Sequence, residues 1–280
     1  MMNNTIRNLL TRTGSGIIFV ALFVGSLLIH PFLYCTLFTG AIAIMMREYM
    51  NIAMGRKNLL AQAMCVVTGC ALFILLFLGL YTGLSLKWLF LIPAAVMIIY
   101  LIILFSKEKD CYEGVAWMVS SLLYIALPFT MTNLAVFDIY GHFNGMILLF
   151  IMILIWTSDV GAYLFGITLG RVWKAKLFPS VSPKKSWAGY IGGLVVTLAA
   201  GWALQYISFV NISLQDSLIL ALIINITSTV GDLAESQFKR NFGVKDSGRI
   251  MPGHGGLLDR FDGALFAFPA CVIYLILITV

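Results

Sequence analysis

The chain has 280 residues, 61% hydrophobic and 11% charged, with a mean hydropathy of +0.98. No water-soluble core needs that much apolar residue, so the composition places the chain in a bilayer. The net charge of +6 sits in short loops between apolar runs, which speaks against nucleic acid as a partner, and the five cysteines (Cys35, Cys65, Cys70, Cys111, Cys271) form no CxxC pair, which speaks against zinc and disulfide frameworks.

The N-terminus carries Arg7 and Arg12 ahead of an apolar run, with no small-residue cleavage site leading to a polar mature domain, so an uncleaved first span is expected. Hydropathy predicts about nine transmembrane helices, at roughly 14–30, 31–53, 59–80, 87–106, 114–137, 144–168, 188–209, 216–238 and 258–280. The break at His30-Pro31 follows from proline disfavouring helix at the residue before it, and it admits two full spans or a re-entrant pair. With the N-terminus cytoplasmic and the C-terminus outside, every Lys and Arg except Lys87 falls in an inner segment. That positive-inside bias supports nine spans in an all-α polytopic membrane protein.

The two halves differ. Residues 1–140 read as a transmembrane scaffold with few ionisable groups inside its spans, whereas 141–280 read as a catalytic region with cytoplasmic loops 169–187 and 239–257. Asp159, Asp232, Glu235, Asp259 and Asp262 lie in or beside the later spans. A charge at the bilayer centre costs ~2.5–3.5 kcal/mol on insertion scales, so such carboxylates are functional candidates by default.

Loop 169–187 is cationic and proline-punctuated, and its Ser182-Pro183-Lys184-Lys185-Ser186 run adds hydroxyls that a topology signal does not require. On a helix, Asp232, Glu235, Ser236 and Lys239 share one face, with Arg240 just beyond. Structural ion pairs with Lys239 or Arg240 are the plainer reading of Asp232 and Glu235. Between residues 236 and 262 the chain gathers five Lys or Arg residues and three carboxylates, ending in Pro252-Gly253-His254-Gly255-Gly256 before Asp259 and Asp262. Glycines ahead of a helix let backbone N–H groups approach an anion, and oxygen ligands without cysteine suit magnesium before zinc. No Walker A loop, kinase glycine loop or nucleophile elbow occurs.

The segment 236–262 resembles the signature of the CDP-diacylglycerol synthases, also called phosphatidate cytidylyltransferases. Gly231-Asp232-Leu233, Glu235-Ser236 and the run from Asp159 through Ala162-Tyr163 to Gly166 are also similar to that family. Its Ser-Pro-Lys-Lys-Thr-x-Glu-Gly loop is approximated at 182–189, where Ser186 stands for Thr and Ala188 for Glu. Phe178-Pro179 replaces a Ser-Pro pair, and Gly263 stands where Ser is common.

The resemblance implies transfer of CMP from CTP to phosphatidate, magnesium-dependent, at the cytoplasmic face of a bacterial inner membrane. On that reading Asp232 and Asp259 are the first metal ligands and Asp262 the next, with Glu235 and Asp246 in support; a second cation is left open. Lys239, Arg240, Lys245 and Arg260 are the phosphate-side cations, with Ser236 beside them. Ser182, Lys184, Lys185 and Ser186 close over the triphosphate, His254 contacts a phosphate or donates a proton, and Asp159 orders the site or meets the lipid headgroup. Partners are CTP, phosphatidate and the bilayer, with a homodimer allowed. The rivals are a transporter, a relative using an ether-lipid acceptor, and an idle subunit. Repeats expected of a transporter are not visible.

Overall fold

The computed structural model describes residues 4–106, 111–138, 140–253 and 255–279. Among them the chain is helical apart from one two-stranded hairpin, and it divides into two compact units. One comprises Met1–Asn144 with Phe242–Arg260, the other Gly145–Asn241 with Phe261–Val280.

The first unit begins with α1 (Asn4–Leu28) and α2 (Pro31–Met54). Proline at the first helical position and extended backbone at His30 make the break a turn between two helices, and His30 Nδ1 accepts from Phe32 N at 3.2 Å. Next come α3 (Leu59–Thr82) and α4 (Leu91–Leu104), the latter preceded by a 3₁₀ turn at Leu86–Phe90. α5 (Cys111–Ser121) runs through a π turn at Leu122–Ala126 into α6 (Leu127–Met131) and α7 (Asn133–Val136). Pro128 explains the π turn: its ring cannot donate to the previous turn and crowds the carbonyl four residues back. An aromatic core of Tyr34, Phe38, Phe73, Phe77 and Phe129 holds these helices, and Tyr34 Oη lies 2.6 Å from Thr132 Oγ1.

In the second unit, α8 (Met146–Thr168) leads through β1 (Lys176–Phe178) and β2 (Ser182–Ser186) to α9 (Trp187–Tyr206), α10 (Leu214–Asn241) and α11 (Leu258–Thr279), whose first residues belong to the other unit. α8 and α9 pack through small residues: Gly161 meets Gly193 Cα, and Gly189 meets the Ala162 carbonyl. Ser158 Oγ donates to Asn225 Oδ1 at 2.9 Å, tying α8 to α10.

Seven helices among the described residues are long and apolar enough to cross a membrane, against the nine expected. They match the last seven predicted spans. The other two expected spans are helices as well: Arg12–Leu28 of α1 is an apolar helix of shorter length among the described residues, and α2 carries Arg47 and Glu48. The hairpin was not expected, because Ser-Pro-Lys-Lys-Ser lacks the β-branched and aromatic residues that mark strands.

Candidate active site

In the second unit the site starts from the hairpin. β1 and β2 pair antiparallel with Lys176 opposite Ser186 and Phe178 opposite Ser182. On β2 Lys184 is exposed and Lys185 half-buried. The strand ends at Ser186, whose buried Oγ accepts from Gly189 N at 3.2 Å and caps α9. The replacement of Thr by Ser at this position keeps that cap, while Ala188 lies buried in the first turn.

Lys185 Nζ reaches Asp232 Oδ2 on α10 at 2.6 Å. Ser236 Oγ donates to Asp232 Oδ1 at 3.2 Å from the next turn. One step along the same face, Lys239 pairs with the fully buried Glu235. The ion-pair reading of Glu235 is thus what the structure contains, and the expected helical face is real. For Asp232 the pair is with Lys185, across elements rather than within α10.

Asp262 on α11 lies within electrostatic range of Asp232, Glu235 and Asp159. The approach is set by glycine. At Gly231 a Cβ would collide with the Asp262 carbonyl oxygen, and at Gly263 it would meet Ser228 Cβ at 3.1 Å. Two helix backbones can therefore touch, which brings the carboxylates of α10 and α11 together. Gly231→Ala is expected to cost about 1–3 kcal/mol by overpacking. Thermal unfolding of the purified variant in detergent should show a lower midpoint, and an unchanged midpoint would deny the close crossing.

Three carboxylates thus lie within electrostatic range of Asp262, and two of them are paired, Asp232 with Lys185 and Glu235 with Lys239. Their oxygen-only chemistry fits a hard divalent cation. Among the described residues, however, no three His, Cys, Asp or Glu side chains form a ready metal-binding group.

In the first unit Asp259 has a different environment. It accepts Ser247 N at 2.9 Å and Gly256 N at 2.8 Å, both on Oδ2, with Ser247 N also 3.2 Å from Oδ1. Gly253 and Gly255 have φ of 76° and 92°, values that favour glycine, and Gly256 is pressed against Ser247 and Gly248 with no room for a side chain. Glu48 of α2 holds the same loop: its carboxylate accepts Leu257 N at 3.1 Å, Leu258 N at 2.8 Å and Ser247 Oγ at 3.3 Å. The loop and first turn of α11 are therefore gripped by two carboxylates.

Glu48 was not among the sequence candidates. A signal existed: it is the only acidic residue before position 108. Of the remaining candidates, Arg240, Lys245, Asp246, Arg260 and Asp159 are exposed, Ser182 is half-buried, and His254 lies outside the described residues.

Residues 10–278 match the family described as "Cytidylyltransferase family". Among similar curated proteins, a phosphatidate cytidylyltransferase of Staphylococcus saprophyticus is 39% identical over 172 residues, 61% of this chain and 63% of that protein. One from Staphylococcus aureus is 40% identical over 172 residues, with the same shares, and one from Staphylococcus haemolyticus 39% over 171 residues. These alignments thus span about 63% of the relatives' length. A carboxylate set faced by a lysine hairpin, the signature segment and a match over nearly the whole length agree on one assignment: the chain belongs to the cytidylyltransferase family.

Proposed function

We propose that this protein transfers CMP from CTP to phosphatidate, giving CDP-diacylglycerol and pyrophosphate. The observation that carries the reading is the cluster of Asp159, Asp232, Glu235 and Asp262 beside Lys185, in a chain of this family. A phosphatidate phosphate oxygen attacks the α-phosphorus of CTP, the bond to the β-phosphate oxygen breaks, and pyrophosphate leaves. The nucleophile is already an anion near neutral pH, so no strong base is demanded. What the chain must supply is charge compensation between two polyanions.

Lys185 does this from a half-buried position on the hairpin, and Lys184 from an exposed one. Asp232 and Asp262 are the proposed magnesium ligands. Asp259, one helical turn ahead of Asp262, keeps lone pairs free beyond its loop contacts. When bound, magnesium would offset phosphate charge and polarise the phosphoryl oxygens. Chelation should silence the enzyme and added magnesium restore it; turnover that persists in excess chelator would remove the metal from the proposal.

Nine spans, a cytoplasmic N-terminus and a site open to the cytoplasm of an inner membrane complete the reading. Its support is the placement of basic residues together with bacterial relatives. CTP arrives from water, whereas phosphatidate keeps its acyl tails in the bilayer, so the site needs access from both.

The test is incorporation of radiolabelled CTP into lipid by membranes containing the protein, with diacyl and ether-linked phosphatidates in separate arms. No lipid label in either arm would return the transporter reading. Within this assay the two lysines should separate. Lys184→Ala should raise the KM for CTP several-fold with kcat nearly kept, whereas Lys185→Ala should lower kcat, because it also strips Asp232 of its partner. Unchanged kinetics in both variants would make loop 169–187 a topology signal only.

A further inference from the structure

A cavity of about 740 Å³ lies in the first unit where α2 ends and α3 begins. Three arginines converge on it from three segments: Arg47 from α2, Arg56 from the turn between α2 and α3, and Arg249 from the loop before α11. None forms an ion pair with a described carboxylate. The fourth charged residue in the lining, Glu48, is already engaged by Leu257 N, Leu258 N and Ser247 Oγ.

The three segments are fixed. Gln62 Nε2 donates to the carbonyls of Gly55 at 3.0 Å and Lys57 at 2.7 Å, which locks the turn carrying Arg56. Glu48 locks the loop carrying Arg249 to the helix carrying Arg47. Retention of positive charge on one membrane side requires arginines only somewhere in the loops. It does not require three arginines from three segments to line one cavity.

The opposite wall is apolar. Leu59, Ala63, Val66 and Val67 line the cavity from one face of α3, and Leu59 and Val67 are each 60% exposed. α3 is long and apolar enough to span the membrane, so this face looks onto lipid, and the arginines stand at its headgroup end. Guanidinium forks match phosphate oxygens bidentately. A cationic floor continuous with a lipid-facing wall accommodates a phosphate that carries acyl chains. A free phosphate or nucleotide would leave that wall unused, and the volume is within the range of small-ligand sites.

We infer that this cavity binds the phosphate of an anionic glycerophospholipid, with an acyl chain lying along α3. None of the cavity residues named here belongs to the carboxylate cluster of the second unit, and the inference does not depend on the reaction proposed above.

The test is lipid retention by native mass spectrometry on the full-length protein, stripped of lipid in neutral detergent and titrated with dioleoyl phosphatidylglycerol, dioleoyl phosphatidylcholine or pyrophosphate. Phosphatidylglycerol should bind in preference to phosphatidylcholine. R56A/R249A should weaken it about tenfold or more, in line with the attraction of two surface cations. Lys57→Ala, whose residue does not line the cavity, should leave it unchanged. Ala63→Trp keeps every cation but fills the wall, so it too should lose the lipid, and it serves if the double variant fails to fold. Equal retention of both lipids, or undiminished phosphatidylglycerol binding in these variants, would overturn the inference. Displacement of the lipid by pyrophosphate in wild type would make this a soluble-phosphate site and overturn it equally.

Discussion

Asp232→Asn should lower kcat at saturating CTP by about 100- to 1,000-fold, the range for losing one group that compensates developing charge, while the protein inserts and purifies normally. The substitution keeps the volume and an oxygen for Ser236, but it removes the charge that holds Lys185. It also takes one of the four carboxylates from the cluster around Asp262. Radiolabelled CTP incorporation into lipid is the measurement, with magnesium varied. Turnover within about threefold of wild type would reduce Asp232 to a structural partner of the hairpin, since exposed ion pairs contribute only about 0–1 kcal/mol. Asp262→Asn should behave alike. A deep loss in one and none in the other would mean that the two do not act on one centre.

Glu48→Ala should be nearly as damaging although Glu48 is no part of the signature. Its carboxylate accepts two backbone N–H groups at the start of α11 and the Ser247 hydroxyl 199 residues away. Hydrogen bonds to a charged acceptor are worth roughly 1.5–3 kcal/mol each, so the loop loses its largest tether. The expected result is faster hydrogen exchange at the Leu257 and Leu258 amides, cleavage at Arg249 by added trypsin, and a fall in kcat of at least about tenfold. Glu48→Gln, which keeps one acceptor, should fall between wild type and alanine. Wild-type exchange and turnover in Glu48→Ala would show that Asp259 alone suffices to hold the loop.

These two residues also mark how far the sequence could be read. Asp232 was legible because its neighbours sit at helical spacing, and α10 does place Ser236 on it and Lys239 on Glu235. The last seven spans were legible from apolar run length, since a bilayer rewards little else. Glu48 was not, because two of its three partners are backbone N–H groups some 200 positions away, and backbone donors carry no residue identity. The hairpin was hidden for another reason. Lys185 faces Asp232 through the pairing of β2 with β1 and a strand ending at the Ser186 cap, features of backbone geometry that Pro-Lys-Lys does not advertise. Asp259 was legible as a candidate, but its contacts with Ser247 N and Gly256 N emerge only once Gly253 and Gly255 turn the chain.

The pairing of Glu235 with Lys239 bears on how the protein is made. The two stand one turn apart in a single helix, so α10 brings its own counter-ion for Glu235 when it leaves the translocon, without first docking against another segment. The buried carboxylate then need not enter the bilayer as a bare charge, a step that costs several kcal/mol unpaired. Asp232 has a different history. Its ammonium partner lies on the hairpin before α9, so that charge is matched only when two separately emerging segments have met. Charge matching at Glu235 is thereby complete within α10, and the ion pair at Asp232 is deferred to the assembly that follows insertion.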